Sequence, residues 1–144
     1  MTFTTRPELA GTFGMVTTTH WLASATGMKM LEAGGSAADA AAAAGFVSAN
    51  TVPASDLKQV PYGRLPLREV MAPAIYYARH GHPILPRVAA TIADMAHVFR
   101  DEWPTSAPVW LPGGAVPEPG ALFANPMLAD FWDRLVSIAS ATKP

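Results

Sequence analysis

The stretch that most limits what this chain can fold into is Gly34-Gly35-Ser36-Ala37-Ala38-Asp39, followed by alanine at every position from 40 to 44. Alanine is the best helix former. Ser36 is placed to cap such a helix, and Asp39 falls at its third position, where a carboxylate meets the positive end of the helix dipole. The glycine pair suits the left-handed ending of a helix arriving from residues 24–33. In that incoming segment Ser24 has the residue type of a cap, and Ala25, Met28 and Leu31 fall at helical spacing. An alanine cylinder offers water almost nothing polar and lets neighbours approach its backbone closely. It belongs inside a helix-rich body, not on a surface.

The rest of the chain can build such a body. It has 144 residues, half of them hydrophobic, which suits one domain with a real core. Charged residues make up 15% and nearly balance, with a net charge of −1, so no basic face for nucleic acid is expected. So little charge also leaves little self-repulsion to oppose association. Cysteine is missing, which removes disulfides, thiolate metal sites and cysteine nucleophiles. Arg6, Pro7 and Glu8 stand where a secretory leader needs an apolar run. Residues 37–47, broken by Asp39 and Gly45, are too short to span a bilayer. The expectation is a soluble, cytoplasmic chain without a membrane partner.

Along the chain, β-branched residues at 14–19 predict a strand. Periodicity fails from Ser48, and residues 51–61 read as a linker. Pro66 suits a helix start. Leu67, Val70, Met71, Ala74, Ile75 and Ala78 follow at helical spacing, with Pro73 inside as a kink or a delayed start, and Gly81 ends the run. Pro86 opens a further amphipathic helix with Val88, Ile92, Met95 and Phe99 on one face. Five prolines and three glycines make residues 103–124 a long irregular loop. Asn125-Pro126 is a cap and first turn, and the last helix shows Met127, Leu128, Phe131, Leu135 and Ile138 as its apolar residues, fraying after Ser140.

Residues that carry chemistry elsewhere have structural readings here. His80 and His82 invite a metal, but no carboxylate or third histidine is placed near them, and a histidine at a helix C-terminus is the simpler account. His20 reads as a satisfied structural histidine and His97 as a rim residue. Glu8, Glu32 and Asp56 form no carboxylate pair. Ser24 and Ser36 lack the setting that exposes a nucleophile. Gly34-Gly35 and Gly113-Gly114 have neither the lysine nor the spacing of a phosphate loop.

Phe13-Gly14-Met15-Val16-Thr17-Thr18-Thr19-His20-Trp21-Leu22-Ala23-Ser24, then Gly27 to the Ala33-Gly34-Gly35 turn and the alanine run with its early Asp39, closely resembles the opening of the gamma-glutamyltransferase (gamma-glutamyltranspeptidase) family of N-terminal-nucleophile hydrolases. Tyr62-Gly63-Arg64-Leu65-Pro66-Leu67, Gly81-His82-Pro83-Ile84-Leu85-Pro86 and Asn125-Pro126-Met127-Leu128-Ala129 resemble later stretches of the same large subunit, in the same order. The resemblance implies an α+β chain: a helix-rich, incomplete piece of a four-layer αββα fold. It would be one partial domain over residues 1–144, with a strand and alanine-helix block at 11–50, a linker at an internal deletion at 51–61, and a helical block at 62–140.

The resemblance also implies what is missing. In the family, strands and an arginine motif that holds the substrate's α-carboxylate follow the alanine helix; here residue 50 runs within a few residues into the later block. The family's nucleophile is a threonine that opens the small subunit, with its own α-amino group as base. Thr17-Thr18-Thr19-His20 carries similar letters but lies in the strand block. The expectation is therefore no catalytic residue in this chain, no assignable substrate-binding residue, and no metal or cofactor. Glutathione hydrolysis or γ-glutamyl transfer would need a small-subunit-like partner. The alternatives are a non-enzymatic helical interaction module, a decaying gene product, or a piece of a related amide acylase. Without the family's strands, the alanine helix and the apolar face of residues 67–78 should lack cover, which predicts marginal stability and self-association.

Overall fold

A computed structural model describes residues 11–51 and 63–141 of the chain. Four helices stack in the order α1 (Trp21–Glu32), α2 (Ala37–Thr51), α3 (Leu67–His80) and α7 (Pro126–Ala141), each packed on the next. Between α3 and α7 the chain forms β1 (His82–Pro83), α4 (Pro86–Asp94), α5 (Ala96–Asp101), α6 (Ala107–Trp110), a 3-10 turn at Pro112–Gly114, and β2 (Leu122–Phe123). β1 and β2 pair antiparallel, His82 opposite Phe123.

The glycine pair does what its residue type requires. Gly34 has φ 84° and donates to the carbonyl of Leu31, while Gly35 donates to that of Met30, the two bonds of a Schellman ending. Ser36 and Asp39 form a reciprocal capping box: Ser36 N–H donates to Asp39 Oδ2 at 2.8 Å, and Asp39 N–H donates to Ser36 Oγ at 3.3 Å. α2 then runs through Ser48 to Thr51, past the point where periodicity fails, although Ser48, Asn50 and Thr51 are weak helix formers. The remainder of the expected linker lies outside the described residues.

The expected lack of cover is corrected. α2 buries Ala40, Ala42, Ala43, Ala44 and Val47 between α1 and α3, and α3 buries Val70, Met71, Ala74 and Ala78 in return. The small side chains let the helices cover one another. α1 buries Leu22, Ala23, Thr26, Gly27 and Met30 instead of the Ala25–Met28–Leu31 set, and its cap is His20, not Ser24. Residues 14–18 carry no regular structure. A strand exists only as half of a ladder, and no described residue offers that segment an edge. The sequence alternation survives as burial: Gly14, Val16 and Thr18 are half-buried, while Phe13, Met15, Thr17 and Thr19 are exposed.

Pro73 is accommodated inside α3, which continues to His80 and ends at Gly81 with φ 87°. The helix begun at Pro86 breaks at Met95, where φ −92° and ψ 0° separate α4 from α5. Residues 103–124 are irregular apart from α6, the 3-10 turn and β2, but they are packed. Trp110, Leu111 and Phe123 return to the body and close a second core with Ile84, Ala89, Ile92, Ala96 and Phe99. The Trp110 ring stacks on Phe99 at 5.9 Å and on Phe123 at 5.5 Å.

Helix α7 carries two apolar stripes. The buried one is Ala129, Trp132 and Val136, with Trp132 edge-on to Phe46 at 6.0 Å. Of the large residues read from sequence, Leu128 packs against the core, while the others face outward: Met127 is 72% exposed, Phe131 51% and Ile138 69%. Arg79 of α3 holds the neighbouring face through Asp130 at 2.8 Å and Asp133 at 2.7 Å. Asn125 Oδ1 accepts from Leu128 N–H at 3.1 Å, the expected cap. Asn125→Ala should cost ~1 kcal/mol in urea unfolding, and Asn125→Ser should recover most of it.

Candidate functional site

Among the described residues, polar side chains come together at the cap of α1, at the Asp39 clamp, in a cleft between α1 and α3, and in the Arg79 ion pairs already described. At the cap, Thr18 Oγ1 donates to the His20 carbonyl at 2.7 Å and lies 2.8 Å from Ser24 Oγ. Thr18's one hydroxyl proton is spent on the carbonyl, so Ser24 is the donor between the two hydroxyls. His20 Nδ1 accepts from Leu22 N–H at 3.1 Å, capping α1 and fixing the ring proton on Nε2. That nitrogen lone pair cannot also take a hydroxyl proton. In this arrangement His20 Nδ1 is not available as a base toward Thr18 or Ser24.

The structure pairs His82 with His20 instead of His80. Their ring centroids are 6.3 Å apart at 85°, and both rings are almost fully buried. His80 lies 4.6 Å from the Tyr76 ring on the surface of α3, and His97 is exposed. Burial lowers the pKa of His20 below its ordinary value. Burial, and then the charge of His20, does the same for His82. Sequence spacing missed this pair, because 62 positions separate its members; the one signal was that each follows a segment end. Among the described residues no three histidine or carboxylate side chains cluster as metal ligands would.

Asp39 is wholly buried, and its Oδ2 gathers Ser36 N–H, Ser36 Oγ, Arg64 N–H at 2.7 Å and Leu65 N–H at 3.3 Å. Burial pushes its pKa up, but these bonds outweigh it and hold the carboxyl below its usual value. It is a structural anion that ties the start of α2 to the chain entering α3, with its lone pairs occupied. The cleft, about 650 Å³, runs between α1 and α3 and is lined by Thr26, Lys29 and Met30 on one side and Glu69, Pro73 and Tyr76 on the other. Its charged groups, one ammonium and one carboxylate, can bind but include no nucleophile.

A model of the gamma-glutamyltranspeptidase family matches residues 58–140. Among solved structures, LmbA2991HD is 32% identical, covers 99% of this chain and has a TM-score of 0.86, while this chain covers 35% of that one. The gamma-glutamyltranspeptidase of Helicobacter pylori is 22% identical over 92% of this chain and 56% of its own, with a TM-score of 0.77. The cephalosporin acylase of Bacillus halodurans is 19% identical over 96% and 39%, with a TM-score of 0.72. These last two share the fold. No curated protein matches.

Proposed function

Because this chain belongs to the gamma-glutamyltranspeptidase family, we propose that it is the large-subunit helical portion of a γ-glutamyl-transferring enzyme and gains turnover only when the nucleophile-bearing portion is supplied. The observation that carries this reading is chemical: the Thr18 and Ser24 hydroxyls bond each other, Thr18 also bonds the His20 carbonyl, and His20 Nδ1 is committed to Leu22 N–H. An acyl-transfer enzyme needs a hydroxyl or amine with a base in reach. The family's threonine nucleophile supplies its own base, and Thr17, Thr18 and Thr19 lie within the chain rather than at a free α-amino group.

Two further observations support an incomplete unit. The chain covers 35% of LmbA2991HD. The outward stripe of α7, with Met127, Phe131 and Leu135, is an exposed apolar face of the kind that another segment or subunit covers. No described helix is long and apolar enough to cross a membrane. The reaction class follows the family: cleavage of a γ-glutamyl amide, with transfer to an amine or to water. The test mixes the purified chain with the nucleophile-bearing portion of a solved relative and follows aniline release from a γ-glutamyl anilide. The chain alone should stay at the blank, and the mixture should rise above both blanks. Turnover by the chain alone would place a nucleophile within it, and a mixture that stays at the blank would remove the complementation reading.

A further inference from the structure

We propose that His20 and His82 form an acid-sensitive latch, in which the seating of the α1 N-terminus on the β1–β2 ribbon depends on both imidazoles being neutral. His20 caps the four-helix stack, and His82 stands in the ribbon that closes the second core. The rings meet edge to face at 6.3 Å, 2% and 4% exposed. His20 Nε2 and His82 Nδ1 are both buried without a hydrogen-bond partner. A buried polar atom left in this state is costly, and far more so once charged.

Among the described residues no carboxylate forms an ion pair with either ring. Trp21 stacks beside His20 at 6.2 Å, and Phe123 of β2 meets His82 at 6.2 Å. On α1 the charged residues are Lys29 and Glu32, more than two helical turns from His20. At the end of α3, Arg79 is engaged by Asp130 and Asp133 of α7, and His80 lies against Tyr76. The charge acting on His82 is that of His20 itself. Protonating His20 places N–H on the nitrogen that accepts Leu22 N–H, so the cap is lost with the proton's arrival. Protonating both puts two cations side by side in an apolar cage.

The sign follows from linkage. Both imidazoles are held below the ordinary histidine value of 6.5 in the folded chain. The unfolded chain then takes up protons first as pH falls. Stability is complete above about pH 6.5 and is lost as pH falls from there through the folded values. Within that window the unfolding constant should rise by up to about a hundredfold per pH unit, about tenfold for each histidine.

Urea unfolding followed by tryptophan fluorescence between pH 5 and pH 8 reads this slope. His20→Asn keeps an acceptor for Leu22 N–H and removes one titration; His82→Phe fills the second site with an apolar ring. Each single variant should halve the logarithmic slope, and the double variant should flatten it. An unchanged slope in the double variant overturns the latch. Imidazole titration by NMR on the unsubstituted chain tests it without a variant. Both rings should titrate below the free-histidine value, with His20 neutral as the Nε2–H tautomer; titration of either ring at or above that value, or the other tautomer at His20, overturns the proposal.

Discussion

Asp39→Ala should cost this fold at least ~3 kcal/mol, measured by urea unfolding at pH 7, because it strands several buried donors at once. Folded domains are stable by only ~5–15 kcal/mol, so one side chain decides much of whether the chain is folded. The carboxylate Oδ2 receives donors from three residues, and two of them, Arg64 and Leu65, come from the segment that enters α3. Alanine keeps the helix propensity and even improves it, so α2 itself accounts only for its lost cap, about 1 kcal/mol. Asp39→Asn keeps an acceptor oxygen in the same place but loses the charge, and should fall between the two. Because the folded carboxyl sits below its ordinary value of 3.8, its stabilisation is present above that pH and is lost as pH falls further through the folded value. That loss begins only below pH 3.8, whereas the histidine loss begins at about pH 6.5, so the two have different onsets in one titration. If Asp39→Ala unfolds within ~1 kcal/mol of the parent, the clamp is only a helix cap, since a cap alone accounts for about that much.

Local chemistry was readable in the sequence wherever it acts over a few residues. Gly34-Gly35, Ser36 with Asp39, and Asn125-Pro126 each specify a terminus through bonds that span three to five positions, and the structure makes those bonds. What periodicity could not decide was which face wins. α7 has an apolar residue set on both sides, and the smaller one, Ala129 with Trp132 and Val136, is buried because it fits the face that α3 presents. The packing of the proline-rich stretch is hidden in the sequence for a related reason. Its prolines and glycines mark turns, but Trp110, Leu111 and Phe123 between them carry enough apolar surface to pull the turns onto a core. The clamp's far partners and the His20–His82 pair were not legible, since both join segments that are distant in sequence and meet only through the packing order of α1, α2 and α3.

The same packing order predicts a large effect from a residue with no side chain. Gly27→Leu should destabilise the fold by ~3 kcal/mol, the upper end for overpacking a well-filled core. A β-carbon at Gly27 would lie 2.7 Å from Val16 Cγ1, 3.1 Å from the carbonyl oxygen of Ala40 and 3.4 Å from Ala44 Cβ. The Val16 methyl can swing away, but the Ala40 carbonyl belongs to the backbone of α2 and moves only if the helices part. Gly27→Ala brings only the β-carbon against these atoms. It gains ~1 kcal/mol of helix propensity but meets Val16 at 2.7 Å and the Ala40 carbonyl at 3.1 Å, so its net cost should be smaller than that of leucine. Combined with Val16→Ala, which removes the closest atom, it should become better tolerated, giving a coupling of at least ~0.5 kcal/mol in a double-mutant cycle. Leucine reaches beyond Val16 into the alanine face, so the same Val16→Ala change should not rescue it. A Gly27→Leu chain as stable as the parent would mean that α1 does not rest on the alanine helix at this distance. The smooth alanine surface would then have no partner that needs it.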